Sequence, residues 1–363
     1  MLDDHAVSYG RQTNGKYIIL LMLLALASLL GAWAMEHKGE VQSTLARLPP
    51  ETQQPMDWQD APSNGASSVF GCKDGAVLLT DGTLYHLNMD GAVTALLETG
   101  EDLLTPLSGS LPGAWGQSAL YLWKDGAFSE IPVETGILGA CANENFIAVI
   151  SKGSGYLTCT KIMNAAGETL GTIGLTDAAM TELACTDSAL AGLCMDKLGQ
   201  WSLRIYDALG TLRTELPLGA ENRCHILGTE EGFVVLGEHT VRCYSQDGEE
   251  TGNVTRSKET ISCGTTAGEN VAVLADCGNA SDLFLVSPEG TVLGETELTA
   301  PVRRVTAQAD RVYVLDYQAL RVYDKQGRLL VTDQDGARAA NMGAYGSDLW
   351  LTGNGEFSRK SIS

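Results

Sequence analysis

The chain has 363 residues, 41 of them glycine, and carries 24 basic against 45 acidic side chains for a formal net charge of −21. That excess of carboxylates argues against a nucleic-acid partner, whose binding rests on Lys and Arg neutralising phosphates, and the same charge repels an anionic surface within a Debye length of roughly 8 to 10 Å. So many glycines, with recurring Asp-Gly pairs, describe a chain that turns often and point away from a helix-rich fold.

Residues 1–16 form a short polar stub ending in Lys16. From Tyr17 to Met35 no side chain is charged, and at about 1.5 Å per residue a helix of that length crosses most of a hydrocarbon core of roughly 30 Å. Tyr17 and Trp33 stand where interfacial aromatics belong, and Arg11 and Lys16 favour a cytoplasmic N-terminus. The expectation is a single-pass transmembrane helix over 17–35, with everything beyond it outside the cytoplasm. The alternative is a signal peptide cleaved near Ala34, because Ala32 and Ala34 flank Trp33 in a small-x-small pattern. Residues 36–64, with Pro49, Pro50, Pro55 and Pro62, read as an extracytoplasmic stalk, in which the segment from Met56 to Trp58 could dock on the domain that follows.

Residues 65–363 are organised by one repeated hairpin: two strand-like runs around a polar turn ending in glycine, as in Leu203 to Leu216 around Gly210. Its copies place turn glycines at 91, 126, 167, 210, 248, 290 and 327, spaced by 35, 41, 43, 38, 42 and 37 residues. Within a period, Thr260 to Gly264, Asn270 to Ala275, Asp282 to Ser287 and Thr291 to Leu298 read as four short strands. Four strands per period of this length indicate an all-β fold, a β-propeller of four-stranded blades. After the seventh unit, Ala337 to Gly346, Asp348 to Thr352 and Glu356 to Ile362 supply three strands of another. Eight blades are favoured, the last borrowing its outer strand from about residues 54–66 so that no sheet edge stays open; seven blades plus a C-terminal hairpin is the alternative.

Of the nine cysteines, Cys141, Cys185, Cys224 and Cys263 recur in innermost strands, with Cys72 a possible fifth. Thiolates ringing a channel could take a soft metal, but small apolar side chains also suit a crowded inner strand, and no Cys-x-x-Cys occurs. No metal site and no cofactor are expected. The run from Asp333 to Gly336 starts like a calcium loop, but its glycine comes too early and the distal Glu is missing, so it reads as a turn. Candidate ligand-binding residues are Arg223, Arg303 and Arg304, with Arg338 beside them, whose planar forks suit carboxylate or phosphate at a channel mouth. Tyr156 and Trp201, on the long loops between second and third strands, are aromatics suited to partner contact. No nucleophile motif, P-loop or dinucleotide fingerprint is present.

With a stub, one apolar span, a stalk and repeats such as Leu320 to Gly327, the chain resembles the membrane-anchored extracytoplasmic β-propeller proteins of uncharacterised function from Gram-positive bacteria. It lacks the Trp-Asp and Gly-His signatures of WD40 proteins. The resemblance implies a non-enzymatic binding or scaffold module at the outer face of the cytoplasmic membrane, engaging an envelope protein or cell-wall component. The alternative is an extracytoplasmic hydrolase or lyase with its site at the channel mouth.

Overall fold

Each hairpin turn is built by a short local code. Asp207 Oδ1 accepts the amide N–H groups of Leu209 at 2.9 Å and Thr211 at 2.8 Å, and the Gly210 N–H returns to the Asp207 carbonyl at 3.0 Å. The turn thus satisfies its own polar groups, and Gly210, at φ +85°, supplies the left-handed residue that ends it. Asn88, Asn164 and Asp324 accept the same pair of amides in their own turns, and Ser245 does so with its hydroxyl. Each turn is followed by a register shift, as between Ile205 and Tyr206, the one-residue bulge that a left-handed glycine creates. Gly126 departs from the series. Its turn is the two-residue Asp125-Gly126, with Lys124 paired to Ala127 and no shift.

The computed structural model describes residues 56–62, 68–134, 136–222, 224–278 and 280–362. The stub, the expected transmembrane helix over 17–35, most of the stalk and Arg223 lie outside them; among the described residues no helix is long and apolar enough to cross a membrane. The described chain folds into eight sheets around a channel, the favoured blade count, with every strand pair antiparallel except that of Ser108–Gly109 with Ile137–Ala142. Blade 1 runs from Ser68–Cys72 to Val93–Glu98, blade 2 from Thr105–Pro106 to Ala127–Pro132, blade 4 from Ala178–Cys185 to Leu212–Gly219, and blade 5 from His225–Gly228 to Glu250–Thr255. Blade 6 spans Thr260–Ala267 to Val292–Leu298, and blade 7 spans Val302–Gln308 to Leu329–Asp333. Blade 3, Ile137–Ala142 to Thr169–Leu175, gains a fifth inner strand, Ser108–Gly109, lent by blade 2.

Ring closure follows the expected route. Blade 8 takes Asn341–Tyr345, Asp348–Gly353 and Glu356–Ser361 from the C-terminal end, and Gln59–Asp60 completes it as the outer strand. Only two residues pair, in keeping with a proline-bearing segment that makes a poor strand. Side chains complete the attachment: Asp335 Oδ2 accepts the Met56 N–H at 3.2 Å and the Trp58 Nε1–H at 3.3 Å. The Arg338 guanidinium lies 5.0 Å over the Trp58 ring. The run from Asp333 to Gly336 is accordingly a turn between blades, entering a short 3-10 helix, Asp335–Arg338.

The core lies between blades. Val312, Tyr313, Val314 and Leu315 in a second strand are all at most 1% exposed, covered by neighbouring blades on both faces. Burying each such side chain contributes roughly 1.5–3 kcal/mol. The turn glycines also serve this packing. A Cβ on Gly290 of blade 6 would stand 2.5 Å from Asn253 N and 2.8 Å from Gly252 Cα in the outer strand of blade 5. Gly167, Gly210, Gly248 and Gly327 likewise rest on the outer strand of the preceding blade and Gly91 on Phe357 and Gln59 of blade 8, whereas a Cβ on Gly126 would meet nothing within 4 Å.

Candidate functional site

The first strands of the blades run the same way around the channel, so their C-terminal ends and the tight turns after them form one end of the ring. A cavity of about 590 Å³ opens there. Asn143, Thr186 and Thr229 line it and brace the turns: Asn143 Oδ1 accepts the Asn145 and Phe146 N–H groups at 2.8 Å each, and Thr229 Oγ1 accepts the Gly232 N–H at 3.1 Å. The lining carboxylates, Asp187 and Glu230, are exposed on separate turns of blades 4 and 5.

Blade 2 narrows this channel. Its inner pairing is brief, Thr105–Pro106 against Gly113–Trp115, because Pro106, Gly109, Pro112 and Gly113 interrupt strand formation. Between those pieces the chain runs beside blade 3, with Ser108 opposite Cys141 and Gly109 opposite Ala142. Ser108 Oγ donates within reach of two carbonyls, Ala140 O and Leu183 O, each at 3.3 Å. A Cβ on Gly109 would stand 2.1 Å from Ala142 O, so only glycine permits this approach.

The opposite end carries the sequence-predicted residues. Arg303 directs its guanidinium at backbone oxygens: Nε and Nη2 donate to Asp316 O at 3.0 and 2.7 Å, Nη1 to Ala339 O at 2.7 Å and Nη2 to Ala337 O at 2.8 Å. Its fork therefore joins blade 7 to the turn that leads into blade 8. Arg304 is exposed and reaches Asn341 Oδ1 at 3.4 Å. Arg338 pairs with Glu356. Tyr156 is 49% exposed, with its ring laid over Gly174, where a Cβ would stand 2.5 Å from Cε1. Trp201 is half-buried and donates Nε1–H to Glu221 O at 3.0 Å. Tyr156 and Trp201 thus stand on adjacent blades 3 and 4, while Arg303 and Arg304 stand together on blade 7.

All nine cysteines are free thiols. Cys141 is fully buried and the neighbouring Cys185 thiol, followed by burial, holds its ionisation well above the usual thiol range. Such thiols are protonated and inert, which fits apolar packing. Cys72 is different, for it meets Asp74 and His86 inside blade 1. Nothing in the spacing of these three signals the meeting; the hairpin register, which sets Val77 opposite His86, brings them together.

No protein-family model matches the chain, and no curated protein matches it. Solved structures share its fold. The C-terminal WD40 domain of Sif2 superposes with a TM-score of 0.61 at 13% identity, covering 86% of this chain and 99% of that one. Sqt1 from Saccharomyces cerevisiae gives 0.58 at 10% identity, covering 86% and 99%. BamB from Moraxella catarrhalis gives 0.57 at 12% identity, covering 85% and 99%. At these identities the likeness is one of architecture, so a WD40 domain stands among the neighbours although the WD40 signatures are missing here. What the comparisons add to the geometry is that this chain is an all-β propeller.

Proposed function

We propose that the protein is a non-enzymatic binding or scaffold module, held at the outer face of the cytoplasmic membrane by residues 17–35, that engages an envelope protein or wall component. The contact is made by the propeller end that carries the loops between second and third strands. One observation carries this reading: apolar side chains stand exposed at that end of two adjacent blades. Leu138, Tyr156 and Leu157 in blade 3 are 46%, 49% and 43% exposed, and Met195 and Leu198 in blade 4 are 38% and 84% exposed. In a domain this acidic, such exposure on one end suits an interaction surface. Trp201 borders it, and Arg304 offers a cation at the same end of blade 7.

The test is site-specific photo-crosslinking in cells that express the full-length protein. A crosslinker at position 198 is expected to give a discrete adduct with an envelope component. One at position 209, where an exposed leucine marks the opposite end, is expected to give none. Equal labelling from both positions, or none from 198, overturns the proposal.

A further inference from the structure

The best-formed polar cluster outside that surface joins three side chains of blade 1. Cys72 ends the first strand, Asp74 stands in the turn to Gly75–Thr80, and His86 lies within Thr83–Asn88. Cys72 Sγ is 3.3 Å from Asp74 Oδ1, His86 Nε2 is 3.4 Å from the same oxygen, and the three donor atoms all lie within 4.8 Å of one another. Ligands on a tetrahedral zinc ion, with bonds of about 2.0–2.3 Å, stand roughly 3.3–3.5 Å apart, so the two separations to Asp74 Oδ1 are those of neighbouring ligands.

The imidazole is set for coordination. His86 is 3% exposed, and Trp123 of blade 2 stacks on it with ring centroids 3.9 Å apart and planes 12° from parallel. Thr94 Oγ1 lies 2.6 Å from Nδ1 and holds the far side of the ring. Nε2 is the ring atom turned into the cluster. It is buried and lies 3.4 Å from Asp74 Oδ1 without a well-formed hydrogen bond. A metal ion between them takes a lone pair from Nε2 and one from the carboxylate. A ring nitrogen held by a hydroxyl on its far side is the outer-shell arrangement of metal-bound histidine. Trp123 Nε1–H, donating to Asp74 Oδ1 at 3.3 Å, gives the carboxylate the same support.

We propose that Cys72, Asp74 and His86 bind a zinc ion through Sγ, Oδ1 and Nε2. The thiol proton of Cys72 is released to solvent on binding, so thiolate and carboxylate neutralise the divalent charge. The Asp74 side chain is 51% exposed, and its side of the cluster leaves the fourth position to water.

The experiment uses the full-length protein purified free of metal. Titration with Co²⁺ is expected to give one equivalent bound per chain, with a thiolate-to-cobalt charge-transfer band that Zn²⁺ then abolishes. Cys72→Ser removes the band. His86→Gln and Asp74→Asn weaken Zn²⁺, measured by competition with a chromophoric chelator, by at least about tenfold. Cys277→Ser, at an exposed thiol beside Asp282, leaves both readouts unchanged. Asp74 is exposed on a turn, so Asp74→Asn keeps the test valid if a buried variant fails to fold. Absence of the band, its persistence in Cys72→Ser, its loss in Cys277→Ser, or unchanged Zn²⁺ affinity in Asp74→Asn overturns the proposal.

Discussion

The Trp58 indole N–H donates to Asp335 Oδ2 at 3.3 Å, a bond between residues 277 positions apart that ties the start of the propeller to the turn between its last two blades. The same oxygen accepts the Met56 N–H, and Met56 itself is buried in the core of blades 7 and 8. Asp335→Ala leaves both donors without that acceptor and is expected to cost about 1–3 kcal/mol, or a fall in melting temperature of several degrees. Amide exchange should accelerate first in Glu356–Ser361, the strand that Gln59–Asp60 covers. Unchanged exchange there would show that ring closure does not depend on this attachment.

Gly290→Ala and Gly126→Ala separate the two roles of a turn glycine. Both positions have positive φ, +73° and +80°, so each substitution carries the left-handed penalty of about 1–2 kcal/mol. At Gly126 that is the whole cost. At Gly290 the added Cβ meets the backbone of Gly252 and Asn253, and the blades must separate, raising the loss to about 3 kcal/mol or more. Denaturant unfolding of the two variants measures the difference; equal losses would remove the interblade role.

Asp316 links stability to pH. Burial acts to raise its carboxyl, but Arg321 Nε at 2.7 Å and the N–H groups of Gln318 and Ala319 at 2.6 and 2.7 Å outweigh it and hold the pKa below the usual carboxylate range. The unfolded chain binds the proton more readily, so the contribution is fully present above pH about 4 and is lost as pH falls through the folded value. Asp316→Asn is expected to lose about 2 kcal/mol at neutral pH. Its stability should also change less between neutral and acidic pH than that of the parent, as read from urea unfolding at both.

Arg204 is 7% exposed and bridges two carboxylates: Nη1 and Nη2 reach Asp177 at 3.3 and 2.5 Å, and Nε and Nη2 reach Glu215 at 2.9 and 2.8 Å. Asp177 and Glu215 are 64% and 44% exposed, so water screens the pairs. Arg204→Met is therefore expected to cost about 1–2 kcal/mol, well under the 3–5 of a fully buried pair. A double-mutant cycle with Asp177→Asn should give a coupling of about 1 kcal/mol; a coupling near zero would leave Arg204 a packing residue.

Strand, turn and blade number were legible in the residues because their causes are local. An Asp, Asn or Ser three positions before a glycine completes its own turn, alternation sets the faces, and repetition sets the count, including the eighth blade with its borrowed strand. Even there, Gly126 looked like its six counterparts, since a two-residue turn and a bulged one both end in glycine. The side-chain meetings were decided only in three dimensions. Arg303 spends its fork on backbone oxygens of Asp316, Ala337 and Ala339, and Ser108 leaves its blade to lie beside Cys141. Cys72, Asp74 and His86 converge only through hairpin register, beneath a tryptophan from the next blade. A turn is chosen by four or five neighbouring residues, whereas such meetings depend on register and ring closure, which sum weak terms along the whole propeller.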